Sequence, residues 1–193
     1  MKLYMIRHGE SYANRDGLFS LPTVSLTENG IRDAESVGRM LKGRSFDRVL
    51  VSPYRRAQET QQYAMPGIEA EIVEDLHECD CGRLEGNSMD EMRAQFEHLS
   101  EDMRVDDYKP YGGEDYESMR RRVRSLMEYV ISLDAERIVA FSHTGLILTF
   151  FDEVMGRTGK VGRNIRCQNG SINIFEYRKG KWTVSAMNIT ENF

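Results

Sequence analysis

Residues 3–10 read LYMIRHGE, and the reading of this stretch decides the fold. Leu3 to Ile6 is a continuous apolar run rather than an alternating one, the pattern of a strand buried on both faces of a parallel sheet. Arg7 and His8 follow at once, and Gly9 then allows a tight turn or a close approach to a ligand. Open α/β sheets bind ligands in the crevice outside the carboxyl ends of their strands. A core strand that ends in a guanidinium and an imidazole therefore delivers polar chemistry to the place where such a fold keeps its site.

Outward from this strand, the pattern alternates. Thr27 is an N-cap candidate, and Ile31, Ala34, Val37, Met40 and Leu41 recur at helical spacing until Gly43. Arg48 to Val51 is a second short apolar strand, ended by Ser52-Pro53. Tyr54 to Ala64 then reads as a helix broken by Pro66-Gly67. Ile68 to Leu76 has room for another strand. The polar middle, 87–113, predicts a helix around Met89 to Leu99 and an irregular loop through Pro110 and Gly112-Gly113. Glu114 to Leu133 predicts a long helix with Met119, Val123, Leu126, Met127 and Val130 inward. Arg137 to Phe141 is a third core strand, followed by Ser142-His143-Thr144-Gly145 and a buried helix over Leu146 to Met155. Ile172 to Tyr177 and Trp182 to Met187, joined at Lys179-Gly180, predict an edge hairpin. The expected fold class is α/β: a three-layer α/β/α sandwich with a mostly parallel central sheet and an antiparallel edge. One domain is expected over 1–193, with 87–113 as a cap over the site.

The totals exclude several function classes. Among 193 residues, 40% are hydrophobic and 30% charged, the balance of a globular enzyme. A net charge of −5 gives the surface no general attraction for nucleic acid or anionic membrane. The apolar start is too short for a signal peptide, and Leu146 to Phe151 is too short to span a bilayer, so a cytoplasmic protein without membrane partners is expected. Cys79, Cys81 and Cys167 form no disulfide framework and no zinc-type spacing, so no metal site is expected. Arg120-Arg121-Arg122-Val123-Arg124 lacks interleaved aromatic residues and reads as a solvated helix face paired to Glu117 and Glu128, not a nucleic-acid grip.

Three strand ends carry the chemistry: Arg7-His8, Ser52 to Arg56, and Ser142-His143. In a parallel sheet these ends share one edge, so two histidines and at least two arginines converge there, with Glu10 and Glu59 the main acids nearby. Glu78, after the candidate strand that ends at Leu76, adds a carboxyl group. Neutral imidazole is a nucleophile, and arginine grips phosphate oxygens through a fork that never loses its charge. Add one carboxylic acid to protonate a leaving oxygen, and hydrolysis of a phosphomonoester needs no metal.

These residues fall into segments that resemble the histidine phosphatase superfamily, the phosphoglycerate mutase-like proteins. R-H-G-E-S-x-x-N (Arg7 to Asn14), S-P-Y-R-R-A-Q-E-T (Ser52 to Thr60), L-H-E-C-D-C-G-R-L-E-G (Leu76 to Gly86) and F-S-H-T-G (Phe141 to Gly145) occur in the family's order. The resemblance implies that His8 attacks phosphorus, that Arg7, Arg56 and His143 hold the phosphoryl group, and that Glu78 protonates the leaving alkoxide and later activates water. It places Asn14, Ser11 and Thr144 against the substrate and calls for no cofactor. The motif assigns the clamp to Arg56 rather than Arg55, and neighbours on a helix point about 100° apart, so one alone can face a pocket. Departures are Asp115 in a G-E-S-like element, Thr144 where glycine is common, and Thr23-Val24-Ser25 before Leu26-Thr27. His77 and His98 read as surface residues. The family includes phosphatases and mutases; the compact middle and short tail favour a phosphatase acting on a small phosphorylated metabolite, as a monomer or homodimer. The alternatives are phosphoglycerate mutase-type transfer and a non-catalytic phospho-ligand binding module.

Overall fold

A computed structural model of the chain describes residues 1–91, 108–156 and 164–191. Most of the helix expected around Met89 to Leu99, and His98 with it, lies outside the described residues. Six strands form one sheet: β1 (Lys2–Arg7), β2 (Arg48–Val51), β3 (Glu71–Ile72), β4 (Arg137–Ser142), β5 (Ile172–Arg178) and β6 (Lys181–Ile189). Their order is β3-β2-β4-β1-β5-β6. The first four are mutually parallel, and β5 and β6 close one edge antiparallel. The hairpin turns on Lys179 and Gly180, both at positive φ (51° and 76°), the geometry that a two-residue turn needs to match strand twist.

The helices are α1 (Tyr12–Asp16), α2 (Glu28–Leu41), α3 (Arg55–Ala64), α4 (Tyr116–Ser132) and α5 (Thr144–Val154). Residues of β1 alternate between two cores because successive side chains leave opposite faces of a strand. Leu3 and Met5 pack with Met119, Val123, Leu126 and Val130 of α4 and with Leu146, Ile147 and Phe150 of α5. Tyr4 and Ile6 pack with Val37 and Leu41 of α2 and Ala57 and Ala64 of α3. Both faces of β1 are thus dry, which is why its apolar run is unbroken. The three-layer α/β/α sandwich with a mostly parallel sheet and an antiparallel edge is the observed fold. Among the described residues, no helix is long and apolar enough to cross a membrane.

Boundaries moved where caps or sheet edges act. Thr27 caps α2, its hydroxyl accepting from the Gly30 N–H at 3.0 Å. Asp115 caps α4 through the Ser118 N–H and also meets Lys109; hydrogen bonds from Ser118, then Lys109, hold its carboxyl well below the usual carboxylate range. The substitution of aspartate at this element therefore has a local structural reason. Ile68 to Leu76 contains two strand residues and then a 3₁₀ turn over Glu74–Leu76, because Glu71 and Ile72 lie exposed at the sheet edge. Helix α1 had no apolar periodicity to announce it. It rests on a capping box in which Ser11 and Asn14 satisfy each other's backbone N–H groups.

The sheet order also explains where a site can form. The chain leaving β1 reaches β2, beyond β4, on the side of α2; the chain leaving β4 reaches β5, beyond β1, on the side of α5. The two connections diverge, so a crevice opens at the carboxyl ends of β1 and β4. Ile6 is in register with Phe141 and Arg7 with Ser142, which brings His8 and His143 to the same level.

Candidate active site

His8 is 3% exposed, and its backbone is held from three sides. Its N–H donates to Ser142 O, and its carbonyl accepts from Asn169 Nδ2 at 3.0 Å and from the Gly170 N–H at 3.2 Å. The ring Nδ1 lies 2.7 Å from Gly9 O. A carbonyl can only accept, so Nδ1 carries the proton and Nε2 presents a lone pair. Arg56 Nε donates to that Nε2 at 3.2 Å. Burial, then the Arg56 and Arg7 cations, hold His8 well below the ordinary histidine range. The imidazole is therefore neutral and aimed.

Arg56 is 1% exposed, with Nη1 donating to Leu21 O, whereas Arg55 beside it is exposed and paired with Glu59. Arg7 Nη1 donates to Cys167 O, and burial lowers its pKa. The His143 ring lies 5.0 Å from the His8 ring, centroid to centroid. Its Nε2 meets Ser52 Oγ at 2.8 Å. Ser52 Oγ also accepts from the Tyr54 N–H and keeps a hydroxyl proton of its own, so it can act as donor or acceptor towards His143 Nε2. Among the described residues, three buried side-chain polar atoms lack a partner: Arg7 Nε, His143 Nδ1 and Thr144 Oγ1. Buried polar groups are normally paired, so unpaired ones gathered at one sheet edge, a guanidinium N–H among them, are groups able to receive an anion's oxygens.

Glu78 sits across this edge. Its Oε2 accepts from the Gly145 N–H at 3.1 Å and its Oε1 from the Cys79 N–H at 2.9 Å. A Cβ on Gly145 would lie 2.4 Å from Glu78 Oε1, so only glycine leaves the carboxylate where it is. Gly145→Ala should lower kcat about 10- to 100-fold by displacing that carboxylate. The variant should remain folded, with a melting temperature no higher than wild type, because the displaced carboxylate no longer accepts from the Cys79 and Gly145 N–H groups. An unaltered kcat would show that the carboxylate's position is immaterial.

Other expected residues take different places. Ser11 is fully buried and its hydroxyl belongs to the α1 cap, so it bears on the site through Asn14. Asn14 Oδ1 accepts from Ser11 and from Asn169, which leaves its amide hydrogens as the end not used by the cap. Gly9 approaches a backbone, not a ligand: a Cβ there would meet Gly30 O at 2.2 Å. The Glu10 carboxylate accepts from the Thr27 hydroxyl, and Glu59 accepts from the Leu26 N–H, so both acids fasten loops. His77 is half-buried, its ring Nδ1 donating to Glu78 O. Arg122 is no part of a solvated face. Its Nη1 donates to Asp75 O and His77 O, and its fork grips Glu114, so it tethers the loop that carries Glu78. Cys79, Cys81 and Cys167 are free thiols, and no group of three or more His, Cys, Asp or Glu suited to a metal occurs among the described residues.

The sequence reading gives Ser52 no individual role, places Arg122 on a solvated helix face and does not single out Asn169. Ser52 stood inside a matched segment, so a signal existed for it. Asn169 is 161 positions from His8 and acts on a backbone carbonyl, which no local pattern reveals.

The buried histidines have a consequence for stability. In the unfolded chain each binds a proton below about pH 6.5; folded, His8 and His143 stay neutral there, since burial and then Arg56 depress both. The unfolded state thus binds more protons, and stability, complete above pH 6.5, falls as pH drops below it. The slope is up to about 1.4 kcal/mol per pH unit for each ring. The urea midpoint should drop between pH 6.5 and 5, with a shallower drop in His8→Asn.

A family model described as the histidine phosphatase superfamily (branch 1) matches residues 3–190. The adenosylcobalamin/α-ribazole phosphatase of Escherichia coli (strain K12) is 28% identical over 97% of this chain and 96% of its own length. A 2,3-bisphosphoglycerate-dependent phosphoglycerate mutase of Parvibaculum lavamentivorans is 32% identical over 73% of each chain. The crystal structure of a phosphoserine phosphatase mutant of Entamoeba histolytica with phosphoserine superposes with a TM-score of 0.81 at 27% identity, covering 98% of both chains. With the histidine pair, the buried arginines and the divergent crevice in place, the chain belongs to the histidine phosphatase superfamily.

Proposed function

We propose that the protein hydrolyses a phosphomonoester of a small metabolite, without a metal, through a phosphohistidine on His8. The observation that carries this reading is the neutral His8 Nε2, unprotonated because Nδ1–H is bound to Gly9 O, lying against Arg56 and within ring contact of His143. The lone pair of Nε2 forms the N–P bond as the P–O bond to the alcohol breaks. The Glu78 carboxyl gives its proton to the departing oxygen, and the resulting carboxylate then takes one from the water that attacks phosphorus. That second step breaks the N–P bond, returns the lone pair to Nε2 and releases inorganic phosphate. Arg7, Arg56 and His143, with the Asn14 amide, hold the equatorial oxygens throughout. Thr144 Oγ1, buried beside His143, adds a donor at the same edge.

The kinship with phosphatases of α-ribazole and of phosphoserine supports this reading. The 32%-identical relative keeps a second one open, transfer of the phosphoryl group to another hydroxyl of a phosphoglycerate. Protein incubated with labelled aryl phosphate and quenched should retain label in an acid-labile, base-stable form. Turnover should persist in chelator and release free phosphate. Isomerisation of phosphoglycerates primed by a bisphosphorylated ester, without net phosphate release, would replace hydrolysis by the mutase reading. Activity lost to chelator would remove the metal-independent mechanism.

A further inference from the structure

Resting on that hydrolytic reading, we infer that the leaving alcohol is a largely apolar, neutral group of ring-system size, and that alcohols bearing a carboxylate are disfavoured. A cavity of about 290 Å³ is lined by Glu78 and by Thr144 and Gly145, which follow His143 in the chain. Glu78, Thr144 and Gly145 belong to both the site and the cavity, so a phosphoryl group on His8 with its leaving oxygen at Glu78 directs the remainder of the ester into this cavity. Its volume is at the small end of ligand pockets, the size for a ring system rather than a long chain.

The walls define the chemistry. Cys79, Cys81, Met89, Met119, Leu148 and the ring of Tyr108 supply sulfur and hydrocarbon surface. Sulfur atoms and aromatic rings make favourable contacts with an aromatic guest. Burial keeps both thiols protonated, the Cys81 thiol being pushed up to about 12. Among the described lining residues there is no lysine, arginine or histidine, and the carboxyls are Glu78 at the mouth and Asp152, 3% exposed, which accepts from the Tyr116 hydroxyl at 3.0 Å. A carboxylate on the guest would lose water against apolar walls and meet no cation among the described lining residues. An apolar neutral guest does not bear that cost.

The test compares kcat/KM of the full-length protein on four esters that all release a primary alkoxide: 2-phenylethyl phosphate, glycerol 3-phosphate, 3-phosphoglycerate and O-phosphoserine. The phenylethyl ester should exceed each of the others by about 10-fold or more, the scale on which an apolar pocket discriminates. Leu148→Arg, which puts a cation on the wall, should move the ratio of 3-phosphoglycerate to phenylethyl ester by at least about 10-fold towards the carboxylate. Equal or better turnover of 3-phosphoglycerate or O-phosphoserine by the wild type overturns the inference, whether or not the variant folds. Activity on 4-nitrophenyl phosphate that depends on His8, with none on the phenylethyl ester, overturns it while leaving the hydrolytic reading standing. Inactivity on all five esters ends both.

Discussion

His8→Ala should lower phosphomonoester turnover by on the order of 10⁴-fold or more, and the acid-labile label should vanish with it. The size follows from what the ring does: it supplies the nucleophile for both half-reactions, and no neighbour can take its place. His143, its ring 5.0 Å away, has its Nε2 engaged by Ser52 Oγ. Alanine would leave Gly9 O without its buried donor, which costs about 1–3 kcal/mol of stability and complicates the comparison. His8→Asn resolves this, because a carboxamide N–H can still reach that carbonyl while offering no nucleophilic nitrogen. Both variants should be folded by circular dichroism and equally inactive. Retention of more than about 1% of wild-type kcat by the asparagine variant would rule out nucleophilic attack by this ring.

Arg56→Lys should lose about 10²- to 10³-fold in kcat/KM, while Arg55→Ala should change it by less than about 3-fold. The two arginines are adjacent, and the difference lies in burial and partners. Arg56 is 1% exposed, with Nε on His8 and Nη1 on Leu21 O, so its plane is locked with the ring on one side. A lysine ammonium is a point donor and cannot keep both contacts while presenting a fork to phosphate. Arg55 has a side chain 61% exposed and pairs with Glu59 on the helix surface, an arrangement of little energetic weight. Equal losses in the two variants would mean that the clamp lies elsewhere.

Much of this architecture is visible in local pattern. The four unbroken apolar residues of β1 and the inward positions Met119, Val123, Leu126 and Val130 of α4 sit where periodicity put them. The Lys179-Gly180 turn joins β5 to β6 as its composition implied. What escaped the pattern was held together by polar contacts. Helix α1 rests on a cap, not a stripe, and Arg122 looked solvated because its partners are carbonyls 45 and 47 positions away.

Hydrophobic periodicity and residue chemistry, both readable along the chain, were enough to determine that a parallel α/β sheet forms and that imidazole, guanidinium and carboxyl groups stand at its strand ends. Tertiary structure alone decided which nitrogen of His8 is unprotonated, which donors are left unpaired, and that Glu78 borders an apolar cavity. The reason is physical: a strand's pattern reflects which of its faces are dry, a property of neighbours two residues apart. A tautomer, a depressed pKa or an orphaned N–H depends on carbonyls, cations and excluded water brought together from Gly9, Arg56, Gly145 and Asn169, which meet only when the chain is folded.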